Sequence, residues 1–80
     1  MKKNDILKAN LLLSDYTLAY GNEEDQRVFL ELLDRYVVSL DDPTISALFV
    51  KLTSNDNDEV RELYAQILAD TLEARVKEVA

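Results

Sequence analysis

The sequence contains no cysteine and no histidine, and it has only one glycine and one proline in 80 residues. Without cysteine there can be no disulfide and no thiolate ligand. Without histidine, a common zinc ligand and the usual general base are also missing, and with them the Ser/His and Cys/His nucleophile arrangements. We therefore predict that the chain is not an enzyme and that it holds no cofactor and no metal ion.

The charge is strongly of one sign, because 16 acidic residues outnumber nine basic ones and give a net charge of −7. An acidic protein is repelled by phosphate backbones and by anionic membranes, so we expect no direct binding to nucleic acid or membrane. A basic partner is compatible with this charge, although solubility alone explains it in many proteins. No small-molecule substrate is indicated.

Long apolar runs are also missing, and none approaches the roughly 20 residues that a membrane span needs. Lys2 and Lys3 precede an apolar stretch in the manner of a signal peptide. However, Asp5, Lys8 and Asn10 interrupt that stretch, and no small-residue cleavage site follows it. We expect the chain to be cytoplasmic.

The apolar residues that are present repeat with the period of an α-helix along the whole chain. Helix-ending and helix-capping residues divide this pattern into segments: Gly21 with Asn22, then Asp42 with Pro43. The sequence predicts an all-α fold and a single helical domain over residues 1–80. Its architecture is predicted as a small four-helix bundle of two antiparallel hairpins. The predicted helices cover about residues 5–20, 23–40, 43–53 and 58–79, with N-caps at Asn4, Asn22, Asp42 and Asp56.

Helices 1 and 4 carry more apolar residues than one buried face requires. Helix 1 has a second stripe of leucines about 120° from its main face, and helix 4 is apolar around most of its circumference. Either helix 4 is the central helix of the monomer, or another chain covers part of it together with the second stripe. We favour the second alternative and predict a partner interface at Leu7, Leu11, Leu18, Leu68, Leu72, Val76 and Val79.

Residues 43–72 resemble a single HEAT-type helical repeat. The features that carry the resemblance are an apolar pattern in the first helix, an aspartate turn and a Val-Arg pair at the start of the second helix. The residues concerned are Ile45, Leu48, Phe49, Leu52, Asp56, Asp58, Val60, Arg61, Ala65, Ile67 and Leu68. The resemblance covers under half of the chain and implies a protein-binding helical scaffold. Two hairpins favour a closed bundle over a solenoid, which needs about three repeats.

Two sets of polar residues could indicate chemistry, but each has a simpler interpretation. The densest acidic cluster lacks the glycine and the glutamate that a calcium-binding loop places at its sixth and twelfth positions, so we interpret it as helix capping. The tyrosines fall on apolar faces and are predicted as core residues, with a partner anchor as the alternative. These residues are Asp56, Asp58, Glu59 and Glu62, and Tyr16, Tyr20, Tyr36 and Tyr64.

The leading hypothesis is a small non-enzymatic protein-interaction module. It homo-oligomerises, most simply as a symmetric dimer, or docks on a protein partner through the apolar faces of helices 1 and 4. The alternative is an acidic inhibitor or immunity-type protein that blocks a basic site on a partner such as a nuclease. An enzyme or a metal-dependent regulator is disfavoured by the absence of histidine and cysteine.

Overall fold

A computed structural model describes residues 2–79 of the chain. Within that range it contains four α-helices and no strand, which confirms the predicted all-α class. The helices are α1 (Lys3–Leu18), α2 (Glu23–Leu40), α3 (Pro43–Thr53) and α4 (Asp58–Glu78). Among these helices, none is long and apolar enough to cross a membrane.

Side-chain caps fix where three of these helices begin. The side-chain oxygen of Asn22 accepts a hydrogen bond from the backbone N–H of Asp25 at 3.1 Å, as predicted for the start of α2. Asp42 Oδ1 accepts from the N–H groups of Thr44 and Ile45 at 3.0 and 3.2 Å, which confirms the predicted cap of α3. These bonds satisfy N–H groups that have no partner inside the helix.

Two predicted caps are wrong. Asn57, not Asp56, caps α4, because it directly precedes the first helical residue and its Oδ1 accepts from the N–H of Glu59 at 3.0 Å. Asn4 lies inside α1, which begins two residues before the predicted start. The N-cap position of α1 is Lys2, where no side chain caps the helix.

The turn that follows α1 and the C-cap of α2 each contain one residue in the left-handed backbone conformation. Gly21, with φ of 87°, reverses the chain after α1, which itself ends at Leu18. Asp41, with φ of 51°, terminates α2 in the same way. Aspartate is one of the few residues besides glycine that adopts this conformation as a single residue. Pro43 then occupies the first position of α3, where its missing N–H costs no hydrogen bond.

Each helix contacts two others, and the contacts form a closed square. α1 lies between α2 and α4, and α3 lies between α4 and α2, while within residues 2–79 the backbones of the diagonal pairs stay more than 8 Å apart, measured between Cα atoms. The short connections make consecutive helices antiparallel, so the molecule is a bundle of two hairpins, 35 Å long and 19 by 17 Å across. The contact between α2 and α3 is the smallest of the four.

The core runs along the centre of this square and draws on all four helices. Its buried apolar residues are Ile6, Ala9, Leu13, Tyr16, Leu33, Val37, Leu40, Ile45, Phe49, Leu52, Ala65, Leu68 and Leu72. On α4, three of them follow the spacing Ala65, Leu68, Leu72. This spacing of three and four residues is the seam expected when one helix packs against two neighbours.

Candidate functional site: a groove between the hairpins

The two ends of the bundle differ in how well α2 is packed. Leu33, Val37 and Leu40, in the half of α2 that leads into the turn before α3, are buried. Phe29 and Leu30, in the half that follows α1, are only half-buried. The first half of α2 therefore stands away from α3 and α4. We call the end of the bundle with the α2–α3 turn the closed end, and the opposite end the open end.

At the closed end, an ion pair connects α4 to the N-cap residue of α3. Arg75 Nε on α4 donates to Asp42 Oδ2 at 2.7 Å, while the other oxygen of Asp42 caps α3. Asp42 is the one buried charged side chain within residues 2–79. The hydrogen bond from Arg75 is the largest cause that holds the pKa of the Asp42 carboxyl below its ordinary value, and burial opposes it. The same hydrogen bond is the largest cause that raises the pKa of Arg75.

A groove of about 1110 Å³ occupies the open end. Its floor is apolar and consists of the buried side chains of Leu13, Tyr16, Phe49 and Ala65. This volume slightly exceeds the roughly 300–1,000 Å³ range of small-molecule pockets. All four helices contribute to the lining, so the groove is a property of the assembled bundle.

The rim of the groove is acidic. Five exposed carboxylates line it, three on α2 and two at the beginning of α4: Glu23, Glu31, Asp34, Asp58 and Glu62. Arg27 also lines the groove, but its guanidinium forms salt bridges with Glu24 at 2.8 Å and Glu31 at 2.9 Å. These pairs raise the pKa of Arg27, with the hydrogen bond from Arg27 to Glu24 as the largest cause. The rim thus presents a negative surface around an apolar floor.

One cation in this groove, Arg61, has no acidic partner within residues 2–79. Arg61, in the second turn of α4, is half-buried, and its Cζ lies 5.7 Å from the centre of the Tyr16 ring. Its Nε is buried without a hydrogen-bond acceptor among residues 2–79, although Asp58 and Glu62 are close in sequence. A cation over an aromatic face is attracted by the ring, but the ring does not replace an acceptor for the N–H. A buried donor left unsatisfied costs about 1–3 kcal/mol.

The predicted interface residues on α1 are exposed. Leu7, Leu11 and Leu18 have 44, 63 and 84% of their surface accessible. At 100° per residue they form one stripe on the side of α1 opposite the core. The structure thus places these three residues together on an outward face.

The predicted interface residues on α4 are mostly not on the surface. Leu68 and Leu72 are fully buried in the monomer, so their assignment to a partner interface is wrong. Val76 is half-buried against the core, and Val79 is exposed at the end of α4. The large apolar residues that α4 exposes are Leu63 and Ile67, which the sequence analysis did not assign to the interface.

The misassignment on α4 has a physical reason. The core-facing seam through Ala65, Leu68 and Leu72 is continued by Arg61 one turn earlier. Leu63 and Ile67 lie more than 100° from the centre of this seam. The spacing of the seam could have identified the buried face of α4. Arg61 and Ala65 concealed it, because neither is a large apolar residue. That arginine is the residue at the groove, and in the sequence it stood out only as part of the Val-Arg pair.

The tyrosines divide between the core and the groove. Tyr16 is buried, as predicted, and Tyr36 and Tyr64 are half-buried against the core. Tyr20 was also predicted as a core residue, but it is 74% exposed at the open end and lines the groove together with Tyr16. α1 ends before Tyr20, so this side chain leaves the helix face on which the prediction placed it.

The arrangement is suited to binding, since it combines an apolar floor, an acidic rim and a guanidinium donor. Across residues 2–79, no group of three or more acidic side chains is close enough to hold a metal ion. Comparison of the chain with protein-family models, with characterised proteins and with solved structures found no match.

Proposed function

We propose that this protein is a small non-enzymatic protein-interaction module that receives a basic, amphipathic helical segment of a partner in its groove. The observation that carries the proposal is the groove itself, an apolar floor of buried side chains within a rim of five carboxylates. Amphipathic helices bind such grooves through apolar residues spaced at i, i+3, i+4 and i+7. The apolar side chains of the partner segment would pack on the groove floor at the open end.

The charge of the rim determines the chemistry of the partner. Lysine and arginine side chains flanking the apolar anchors would lie opposite Glu31, Asp34 and Glu62. Complementary charges of this kind accelerate association and fix the register of the bound segment. The carboxylates surround a concave surface, which favours receiving a basic segment over covering a basic cleft on a larger protein. The inhibitor hypothesis is therefore the less well supported of the two.

A synthetic peptide pair tests the proposal. The first peptide is an acetylated and amidated 18-residue chain of leucine and lysine, with leucine at helical spacing. The second has the same composition in an order that destroys the apolar face. We expect a dissociation constant of about 10 µM for the first peptide by fluorescence anisotropy, and binding at least about tenfold weaker for the second. Equal binding of the two peptides would show charge attraction alone and contradict the proposal.

Two charge reversals on α4 locate the binding surface. Glu62 lines the groove and Glu73 does not, and both are exposed. Glu62→Lys and Glu73→Lys change the net charge equally, so a general electrostatic effect weakens binding equally in both. We expect Glu62→Lys to weaken binding of the amphipathic peptide about tenfold and Glu73→Lys to change it less than about twofold. Equal effects of the two substitutions count against the groove.

Self-association is a second candidate function, favoured by the leucine stripe of α1. Leu7, Leu11 and Leu18 form this outward stripe, and beside it lie Lys8 and Asp15, seven residues apart on one side. In an antiparallel pair of α1 helices with its twofold axis near Leu11, Lys8 of one copy lies opposite Asp15 of the other. A second copy thus offers both apolar and charge complementarity.

The oligomeric state tests this second candidate. Leu11 and Leu63 are similarly exposed, at 63 and 58%, on different helices. Sedimentation velocity is expected to show a dimer for the unmodified protein and for Leu63→Lys, and a monomer for Leu11→Lys. A monomer in all three samples at about 100 µM rules out a dimer of this kind at the concentrations where weak interfaces associate.

A further inference from the structure

The outward face of α1 has a heptad pattern that the core of the bundle does not use. Resting on the second candidate function, self-association, we infer that two copies of the chain pair through this face as a short antiparallel coiled coil. Lys8 and Asp15 fix the register of the pair, and Ser14 limits its strength. The partner that this surface fits is a second copy of the chain in one defined orientation.

The exposed residues of α1 alternate in spacings of three and four residues, which is the pattern of a coiled-coil seam. We call the set the α1 seam; its members, all exposed, are Asn4, Leu7, Leu11, Ser14 and Leu18. The buried residues of α1 lie on the other side of the helix, at Ile6, Ala9, Leu13 and Tyr16. The α1 seam is therefore separate from the face that α1 contributes to the core.

The charged residues beside the α1 seam disfavour a parallel pair. Lys8 and Asp15 each directly follow a seam residue, and Lys3 directly precedes one. In coiled coils, the residues at these flanking positions decide the orientation in which two helices pair. In a parallel pair, a residue that precedes the seam faces a residue that follows it on the other helix. Lys3 of one copy then faces Lys8 of the other, and the two positive charges repel each other.

An antiparallel pair brings opposite charges together, because flanking residues on the same side of the seam then face each other. With the twofold axis midway between Leu11 and Ser14, Lys8 of each copy lies within about one helical turn of Asp15 of the other. The symmetry forms this ion pair twice. Moving the axis by half a heptad toward the start of α1 places the two copies of Lys8 together and leaves Leu18 without a partner. The charges therefore select one register.

Ser14 weakens the packing in this register. Leu7 of one copy packs against Leu18 of the other, whereas Leu11 packs against Ser14. The short polar side chain of Ser14 fills this layer incompletely, and a polar residue at a seam position lowers the stability of a coiled coil. The layer occurs twice in the symmetric pair, so Ser14 is the residue that limits the strength of self-association.

Replacement of Ser14 by leucine gives the first measurement. Ser14→Leu completes both incomplete layers and is expected to lower the dissociation constant of the dimer at least about tenfold, measured by sedimentation velocity over a concentration series. The matched control is Ser39→Leu, which adds an exposed leucine to α2 outside the α1 seam and is expected to change this constant less than about twofold. Equal tightening by both substitutions, or no tightening by Ser14→Leu, overturns the inference.

Charge reversals test the register. Asp15→Lys makes the net charge of −7 less negative, so a general decrease in repulsion between copies would tighten the dimer. The register predicts the opposite, a dimer about tenfold weaker, because position 15 then repels Lys8 of the other copy. The double variant Lys8→Asp/Asp15→Lys keeps the net charge and restores the pairs of opposite charge, so its dissociation constant is expected within about threefold of that of the unmodified protein. Tightening by Asp15→Lys, or no recovery in the double variant, contradicts the register.

A distance between spin labels tests the orientation. The protein has no cysteine, so Lys2→Cys provides one nitroxide site per copy, directly before α1. At 1.5 Å per residue, antiparallel pairing in this register separates the two labels by about 30 Å along the helix axis. Double electron–electron resonance measures this separation. A distance below about 20 Å, which a parallel pair gives, overturns the inference.

The inference and the function on which it rests fail in different ways. If the unmodified protein and Ser14→Leu are both monomeric at about 100 µM, self-association is wrong and the inference falls with it. If the unmodified protein is a dimer but the charge reversals or the label distance disagree, self-association remains and the antiparallel register is wrong.

Discussion

The two ends of the bundle use an arginine of α4 in opposite ways. Arg75 at the closed end donates to the buried carboxylate of Asp42 at 2.7 Å. Arg61 at the open end lies over an aromatic ring, and its Nε has no acceptor within residues 2–79. The two residues are about four helical turns apart on nearly the same face of α4. One face of α4 thus carries two arginines: the Nε of Arg75 is hydrogen-bonded, and the Nε of Arg61 is not hydrogen-bonded within residues 2–79.

The closed end is more tightly packed than the open end, where the proposed binding groove lies. At the closed end, Leu40 is buried and Asp42 joins the cap of α3 to the last turns of α4. At the open end, Leu30 is half-buried and lines the groove. Buried polar groups in folded proteins are almost always hydrogen-bonded, and Arg61 Nε at the open end is an exception among residues 2–79.

The largest expected effect compares two leucines of α2. Leu40→Ala removes a buried side chain at the closed end and is expected to lower the free energy of unfolding by about 3 kcal/mol. Leu30→Ala at the groove removes a half-buried side chain and is expected to cost about 1 kcal/mol. Urea unfolding measures both values. Equal losses would mean that the open end is packed as tightly as the closed end.

The next effect compares two N-caps. Asp42→Ala removes the cap of α3 and the partner of Arg75, and we expect a loss of about 2 kcal/mol. Asn57→Ala removes only the cap of α4 at the open end, for which about 1 kcal/mol is expected. Thermal unfolding of the two variants gives the difference, and a greater loss for Asn57→Ala would contradict the assignment of the closed end.

The pH dependence isolates the charge of Asp42 from its capping role. Its pKa is lower in the folded state, so the stabilisation is present above the unfolded pKa of about 3.9 and is lost as the pH falls through the folded pKa. Asp42→Asn retains a capping oxygen but cannot titrate there. The stability difference between the unmodified protein and this variant is expected to shrink as the pH is lowered from about 5 to 2. A difference that stays constant over this range means that the ion pair adds nothing.

The smallest expected effect on stability is that of Arg61. Arg61→Met retains a long apolar stem over Tyr16 and removes the unsatisfied donor. We expect the melting temperature to stay within about 3 °C of the unmodified protein or to rise, because no folded-state hydrogen bond of Nε is lost. Differential scanning calorimetry measures it. A fall of about 10 °C would show that Arg61 serves the fold, as Arg75 does.

The sequence predicted the parts of this fold that depend on local chemistry. The boundaries of α2 and α3 are confirmed because Asn22, Asp42 and Pro43 are strong start signals. α1 was placed two residues late because no side chain caps its first turn. Each of these boundaries depends on residues within a few positions of it in the sequence.

The groove could not be predicted in the same way. Its lining combines residues of all four helices, so it depends on how the two hairpins pack against each other. The burial of Leu68 and Leu72 likewise depends on which neighbours α4 contacts. The apolar pattern of one helix does not show which other helices it will contact.

Hydrogen exchange along α2 tests the central claim most directly. If the bundle is closed at one end and open at the other, amides 27–32 exchange at least about tenfold faster than amides 35–40. Adding the amphipathic leucine-lysine peptide is expected to abolish this difference, because the peptide fills the groove beside the first half of α2. Uniform protection along α2 without peptide, or peptide-induced protection confined to the leucine stripe of α1, would contradict the account.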